Sequence, residues 1–253
     1  MSKVYLVGAG PGDPELLTVR AHKLLRTADV ILHDDLVSQE ILRLAKSDAL
    51  LISVGKRCGK KRVSQEQIHA LMIAFASRGK RTVRLKSGDP LLFGRANEEM
   101  EALESAHVAF EVVPGVTAAL AAAATARISL TDRRCASSVV ITTGHHSAGK
   151  GRPDWRGLAR PDATLAIYMP GSDYASLKSE LMAAGLSANT PCLVLSRIAS
   201  PEQRSHATRL GKLSEQKILP APTLVLVGRV AGRTRSAARF AQTWIPARAR
   251  ETA

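Results

Sequence analysis

Cysteine is scarce in this chain of 253 residues: Cys58, Cys135 and Cys192 lie far apart and form no C-x-x-C pair. That scarcity argues against a disulfide framework or a zinc site. Aromatic residues make up only 4%, which leaves few stacking platforms for single-stranded nucleic acid. No apolar run approaches the roughly 20 residues that span a bilayer, and the N-terminus lacks a charged-then-apolar signal pattern. The expectation is a cytoplasmic protein without membrane association. Acidic residues are outnumbered by Lys and Arg, 22 against 36, for a formal net charge of +14. Such an excess implies a polyanionic partner. Part of it is local, because Arg229, Arg233, Arg235, Arg239, Arg248 and Arg250 crowd the end of the chain.

A hydrophobic content of 45% is that of a globular protein, and the length fits one large or two smaller α/β domains. The chain is organised around Val4 to Val7, an apolar run that opens into Gly8-Ala9-Gly10-Pro11-Gly12-Asp13-Pro14. This reads as a buried strand ending in a sharp turn where missing Cβ atoms expose backbone to a ligand. A tight strand-to-helix turn with no ligand is the plainer alternative. The spacing is wrong for G-x-G-x-x-G, and Asp13 would repel phosphate.

Further strands are expected at Asp29 to His33, Leu50 to Val54, Thr82 to Lys86 and His107 to Val113, separated by helices. Ser64 and Gln67 form a capping box for a helix that buries Ile68, Leu71, Met72 and Phe75 and stops at Gly79. Ligands of open α/β sheets sit beyond the carboxyl ends of strands, so Asp34, Asp35 and the turn Lys86 to Arg95 share a rim with the glycine turn. Gly55 to Lys61 is one residue short of a P-loop and lacks its Ser or Thr. Arg95 and Glu98 stand one helical turn apart, and a surface ion pair is their bland reading. The second half repeats the alternation, with strands expected at Ser138 to Thr143, Thr164 to Met169, Cys192 to Ser196, Ser205 to Leu210 and Thr223 to Val227. A helix is expected at Tyr174 to Ala184, and Ser147 to Pro161 reads as an exposed loop. His145 and His146 are adjacent and would face opposite ways on a strand, so they make no metal site.

Six blocks in order carry a resemblance: Val7 to Pro14; His33-Asp34 with Leu36-Val37-Ser38; Val54 to Arg57; Arg84 to Pro90 through Phe93-Gly94-Arg95; Val113 to Ala118; and Val227 to Val230. Over about residues 3 to 235 the chain resembles the tetrapyrrole methylase family. The resemblance implies an α/β fold of two αβα domains with a ligand cleft between them. Residues 1–114 would form the N-terminal domain, 115–240 the domain completing the cofactor cleft, and 241–253 a basic tail. It implies a homodimer and S-adenosyl-L-methionine as methyl donor, with no metal. The implied reaction methylates two ring carbons of uroporphyrinogen III to give precorrin-2, which leads to sirohaem, cobalamin or haem d1. A carboxylate-bearing substrate suits a cationic protein, and nucleic acid is not expected as a partner.

The implied chemistry is an in-line displacement, which needs alignment, exclusion of water and later removal of a proton from the ring system. By the same resemblance Asp34 matches the proton acceptor and Lys56 the proton donor or a substrate anchor. Donor contacts fall on Pro11, Ser87, Gly88, Asp89, Leu92, Thr117, Ala118, Met169, Ile198 and Thr223. Arg95, Glu98, Arg133 and His145 are expected to face the tetrapyrrole. Three positions depart from the family pattern: Ser87, Ile198 and Asp132. A sibling precorrin or ribosomal-RNA methyltransferase on the same scaffold stays open, as does a non-catalytic module that binds an anionic ligand through its arginines.

Overall fold

A computed structural model describes residues 2–55, 63–144 and 153–233. The first apolar run is β1 (Val4–Gly8). Thr18 accepts a hydrogen bond from the Ala21 N–H and starts α1 (Val19–Leu25), whose Ala21, Leu24 and Leu25 are buried. After β2 (Val30–His33) comes the short α2 (Gln39–Leu42), capped by Ser38, and then β3 (Leu50–Ser53). The expected capping box of Ser64 and Gln67 opens α3 (Gln65–Ser77). Next are β4 (Thr82–Lys86), α4 (Ala96–Ser105) and β5 (Phe110–Val113).

These elements form one unit, Met1–Thr117, and Ala118–Ala253 forms a second. The first sheet has the order β3-β2-β4-β1-β5, and every pairing in it is parallel. Alternation sends Val4 and Leu6 to one face and Val7 to the other. On one face Val7, Ile31 and Leu85 pack with Ala21, Leu25 and Ile41; on the other Val4, Leu6 and Leu32 pack with Ile68, Met72 and Leu103. The unit is therefore three layers, helix on sheet on helix. Because all five strands run the same way, the turns after β1, β2, β4 and β5 emerge along one edge.

The second unit starts with α5 (Ala118–Ala126), whose small residues Ala119, Ala121, Ala122 and Ala126 are buried. It continues through β6 (Ser138–Thr143), α6 (Trp155–Leu158), β7 (Ala163–Tyr168), α7 (Tyr174–Ala183), β8 (Pro191–Ser196), β9 (Arg204–Arg209) and β10 (Thr223–Val227). Its sheet has the order β6-β7-β10-β8-β9. Only β6 and β7 are parallel; β10 runs antiparallel to both β7 and β8, and β9 antiparallel to β8. Simple repetition of the first half therefore does not hold. No α-helix separates β8 from β9, and β9 leads to β10 through a 3-10 turn at Leu210–Glu215. Without a long crossover, consecutive strands return antiparallel.

The exposed loop expected over Ser147 to Pro161 is also corrected where it is described. Asp154 caps α6, and Trp155 is buried with its indole N–H donating to Glu180 Oε2 at 2.8 Å. An aromatic payload of that size anchors the segment to the core, which glycine and charge content alone conceals.

Candidate active site

Three glycines join the turns at the rim of the first sheet. A Cβ on Gly115 would lie 2.2 Å from Gly88 O and 2.9 Å from Gly8 Cα, and one on Gly8 would lie 2.6 Å from Gly115 N. Gly88 N donates to Gly10 O at 2.8 Å, and Gly10 N returns a bond to Gly88 O at 3.1 Å. Only bare backbone permits this approach. Pro11 follows Gly10 in that turn. Asp89 binds the junction from the side: Oδ1 accepts from Leu91 N at 2.9 Å and Oδ2 from Gly115 N at 3.0 Å. Leu92 N donates to Asp89 O, closing the turn. Ser87 is not among the residues with positive φ; Gly88 takes that conformation, at +65°. The serine departure thus costs no backbone strain. Pro11, Ser87, Gly88, Asp89 and Leu92 come together here, with Thr117 two residues beyond Gly115.

Asp34 follows β2 on the same rim. Its backbone N–H donates to Leu85 O at 3.1 Å, and its Oδ1 accepts from Arg84 Nη2 at 2.5 Å. Behind it runs a buried row of charges. Arg84 Nε donates to Glu99 Oε1 at 2.9 Å, and Lys86 Nζ to Glu99 Oε2 at 2.8 Å. Arg84, Lys86 and Glu99 are respectively 3%, 2% and 0% exposed, a placement such residues adopt only when paired. Burial pushes the Lys86 ammonium below its ordinary range, and the neighbouring Arg84 adds to that effect. Burial also opposes the Arg84 charge, yet Asp34 and Glu99 outweigh it and hold that guanidinium above its ordinary value.

Arg84, Lys86 and Glu99 were missed by sequence reasoning. The signal was Thr82, Arg84 and Lys86 at alternate positions of a central strand, on a face where apolar residues belong.

Of the expected tetrapyrrole contacts, Arg95 and Glu98 form an i,i+3 pair at 2.8 and 2.5 Å, both side chains about half exposed. Arg95 sits at φ 56° immediately before α4. Arg133 lies in the second unit within the turn Asp132 to Ala136, whose ends bond to each other. The charge of Asp132 is answered by Arg134 at 2.9 Å and Arg233 at 2.6 Å. Hydrogen bonds from Arg134, side chain and backbone, hold its carboxyl well below the usual range. Lys56, His145, Cys58 and the basic tail 241–253 lie outside the described residues.

In the second unit the four expected donor positions share one edge. Met169 directly follows β7, Ile198 lies two residues beyond β8, and Thr223 pairs with Ser196 while Leu224 pairs with Tyr168. Ala118 opens α5, where the Ala119 N–H donates to the Tyr168 hydroxyl at 2.8 Å. Met169 is exposed, at 46%, whereas Ile198 is buried. Met169, Arg197 and Ala199 all have positive φ, as do Phe93 and Arg95 in the first unit. Strained non-glycine backbone concentrates at functional loops. A cavity of about 290 Å³ opens at the opposite edge of this sheet, by Ala163, Pro191 and Gly228, away from the donor positions. Among the described residues no cluster of His, Cys, Asp and Glu could hold a metal ion, and no helix is long and apolar enough to cross a membrane.

The family model for Tetrapyrrole (Corrin/Porphyrin) Methylases matches residues 3–214. The chain is 46% identical over 235 residues to a protein of Paracoccus denitrificans named uroporphyrinogen-III C-methyltransferase, covering 91% of this chain and 82% of that one. It is 45% identical over 244 residues to Siroheme synthase 1 of Yersinia enterocolitica, covering 95% of this chain. This chain spans about half the length of that synthase, 51%. Among solved structures it is similar to the uroporphyrin-III C-methyl transferase of Thermus thermophilus complexed with S-adenyl homocysteine. The TM-score is 0.80 and the identity 38%, with 92% of this chain and 100% of that chain covered.

Proposed function

The chain belongs to the tetrapyrrole methylase family, and from that premise we propose that it methylates uroporphyrinogen III at two ring carbons to give precorrin-2, with S-adenosyl-L-methionine as donor. The observation that carries the reading is Asp34. Its carboxylate is partly exposed, at 29%, on the same strand-end rim as the junction of Gly8, Gly88 and Gly115. The name of the Paracoccus relative and the ligand of the Thermus structure support the substrate and the donor.

The residues present suit a sulfonium nucleoside. An added Cβ at Gly88 would meet nothing within 4 Å, so backbone there is open to a ligand. None of the ten donor positions is Lys or Arg, which suits a ligand carrying a sulfonium charge. In the first unit Pro11, Ser87, Gly88, Asp89, Leu92 and Thr117 would hold the donor, and in the second Ala118, Met169, Ile198 and Thr223. When bound, S-adenosylmethionine supplies an electrophilic methyl group. Asp89 keeps the loops after β4 and β5 in register.

Methylation at a ring carbon leaves a proton to be removed, and Asp34 takes it. Lys56 supplies a proton or grips a substrate carboxylate. By the same resemblance Arg95, Glu98, Arg133 and His145 would contact the macrocycle. A Lys and Arg excess favours a substrate with carboxylates. The reading includes a homodimer, as the resemblance implies. It also places the protein in the cytoplasm, in keeping with the unpaired thiols of Cys135 and Cys192.

The test is an anaerobic assay of the purified protein with uroporphyrinogen III and labelled donor, following product mass and absorbance. Two methyl groups should be added, and Asp34→Asn should abolish turnover while calorimetry shows donor binding retained. Label that reaches only RNA, or no acceptor at all, would overturn the proposal.

A further inference from the structure

Asp34 is gripped by β4 through both its backbone and its side chain, and the gripping residue is itself held by buried charges. Every nitrogen of the Arg84 guanidinium is engaged. Nε binds Glu99 Oε1, Nη1 binds Leu32 O and Leu85 O at 3.3 Å each, and Nη2 binds Asp34 Oδ1. Glu99 is likewise saturated, because Lys86 Nζ takes Oε2 while Gln65 Nε2 joins Arg84 on Oε1 at 3.3 Å. The row alternates in sign from Asp34 through Arg84 and Glu99 to Lys86. From the geometry we infer that Arg84, Glu99 and Lys86 are positioning residues that hold the Asp34 carboxylate in place and act on its charge. This rests on the reading of Asp34 as proton acceptor.

Three elements supply the charged groups around Asp34. Arg84 and Lys86 come from β4, Glu99 from α4, and His69 of α3 stands behind Gln65 at 3.1 Å. His33 and Asp35 are its neighbours in sequence; His33 Nδ1 lies 3.1 Å from the Asp34 carbonyl oxygen. A buried ion row could serve folding alone, but its charges then need not act on the one partly exposed member. Two of the three buried residues can be neutralised to shift Asp34 in opposite directions. With Glu99 neutral, the Arg84 charge falls on Asp34 alone and favours its ionised form. With Lys86 removed, Glu99 claims more of Arg84, and the ionised form of Asp34 loses support.

The experiment compares pH profiles of kcat for methyl transfer in the wild type, Glu99→Gln and Lys86→Met. Donor affinity is measured alongside by calorimetry. The acid limb should move down by about one pH unit in Glu99→Gln and up in Lys86→Met, with donor affinity unchanged. Arg84→Lys keeps the charge but loses the planar fork, so kcat should fall at least 10-fold without a change in donor affinity. Should the buried variants fail to fold, Gln65→Ala is read the same way. It leaves the Ser64 cap intact, strips a donor from Glu99, and should move the limb up by a smaller amount. Limbs that stay in place, or that move in one direction in both buried variants, would overturn the inference. Asp34→Asn separates the two claims: if it keeps turnover, the reading of Asp34 falls, whereas lost turnover with unmoved limbs removes only the role of the buried row.

Discussion

The carboxylate of Asp89 accepts the backbone N–H of Gly115 at 3.0 Å, so one side chain ties the loop after β4 to the loop after β5. Its other oxygen accepts from Leu91 and shapes the turn that leaves β4. An aspartate expected to contact the donor thus also has a structural role: each oxygen accepts one backbone N–H and keeps a further lone pair. Asp89→Asn keeps one acceptor oxygen and should cost about 1 kcal/mol, while Asp89→Ala loses both bonds and should cost about 2. Urea unfolding measures the difference, and calorimetry should show donor affinity falling in the same order.

The glycines of this junction should differ in tolerance. Gly115→Ala drives a Cβ to 2.2 Å from Gly88 O, an overlap only backbone movement relieves, so a loss of about 3 kcal/mol is expected. Gly88→Ala meets open space and suffers only its positive φ, for a loss of about 1–2 kcal/mol. Denaturation midpoints should rank them in that order. If the open space receives the donor, Gly88→Ala should weaken donor binding more than its stability loss suggests.

Asp132 makes stability dependent on acid pH. Its folded carboxyl is held below its ordinary value by hydrogen bonds from Arg134 and by the charges of Arg134 and Arg233. The contribution is therefore complete above the unfolded pKa of about 4 and lost as pH falls toward the lower folded value. Asp132→Asn should lower Tm at pH 7, and the gap from wild type should narrow progressively as pH falls below about 4. Thermal scans across that range check it; a gap that is independent of pH would show that the ion pairs contribute nothing.

The thiols should separate by burial. Cys192 is 1% exposed, and burial pushes its pKa up to about 12, whereas Cys135 is partly exposed. Because the thiolate is the reacting form, iodoacetamide at pH 8 should alkylate Cys135 in the native protein and Cys192 only after unfolding. Peptide mass mapping reads the order directly.

What the sequence by itself determined is local. The apolar run before Gly8, the capping box of Ser64 and Gln67, and the strand-then-turn blocks ending at Asp34, Lys86 and Val113 all depend on neighbours within one or two turns of chain. Periodicity and turn chemistry therefore suffice to read them. The positions of Pro11, Gly88 and Asp89 on one rim follow as soon as the strands run parallel.

Only the tertiary structure decided what those positions touch. Asp34 meets Arg84 across 50 residues, and Arg84 meets Glu99 because α4 covers the sheet face that Arg84 and Lys86 enter. Asp132, which in sequence puts a negative charge beside an expected substrate contact, is neutralised by Arg134 beside it and by Arg233, far along the chain. The antiparallel placement of β10 between β7 and β8 brings Thr223 beside Ser196 and the end of β7. The physical reason is the same in each case. A charge chooses its partner, and a strand its register, by the free energy of leaving water together, and that depends on which distant residues the packed core places alongside.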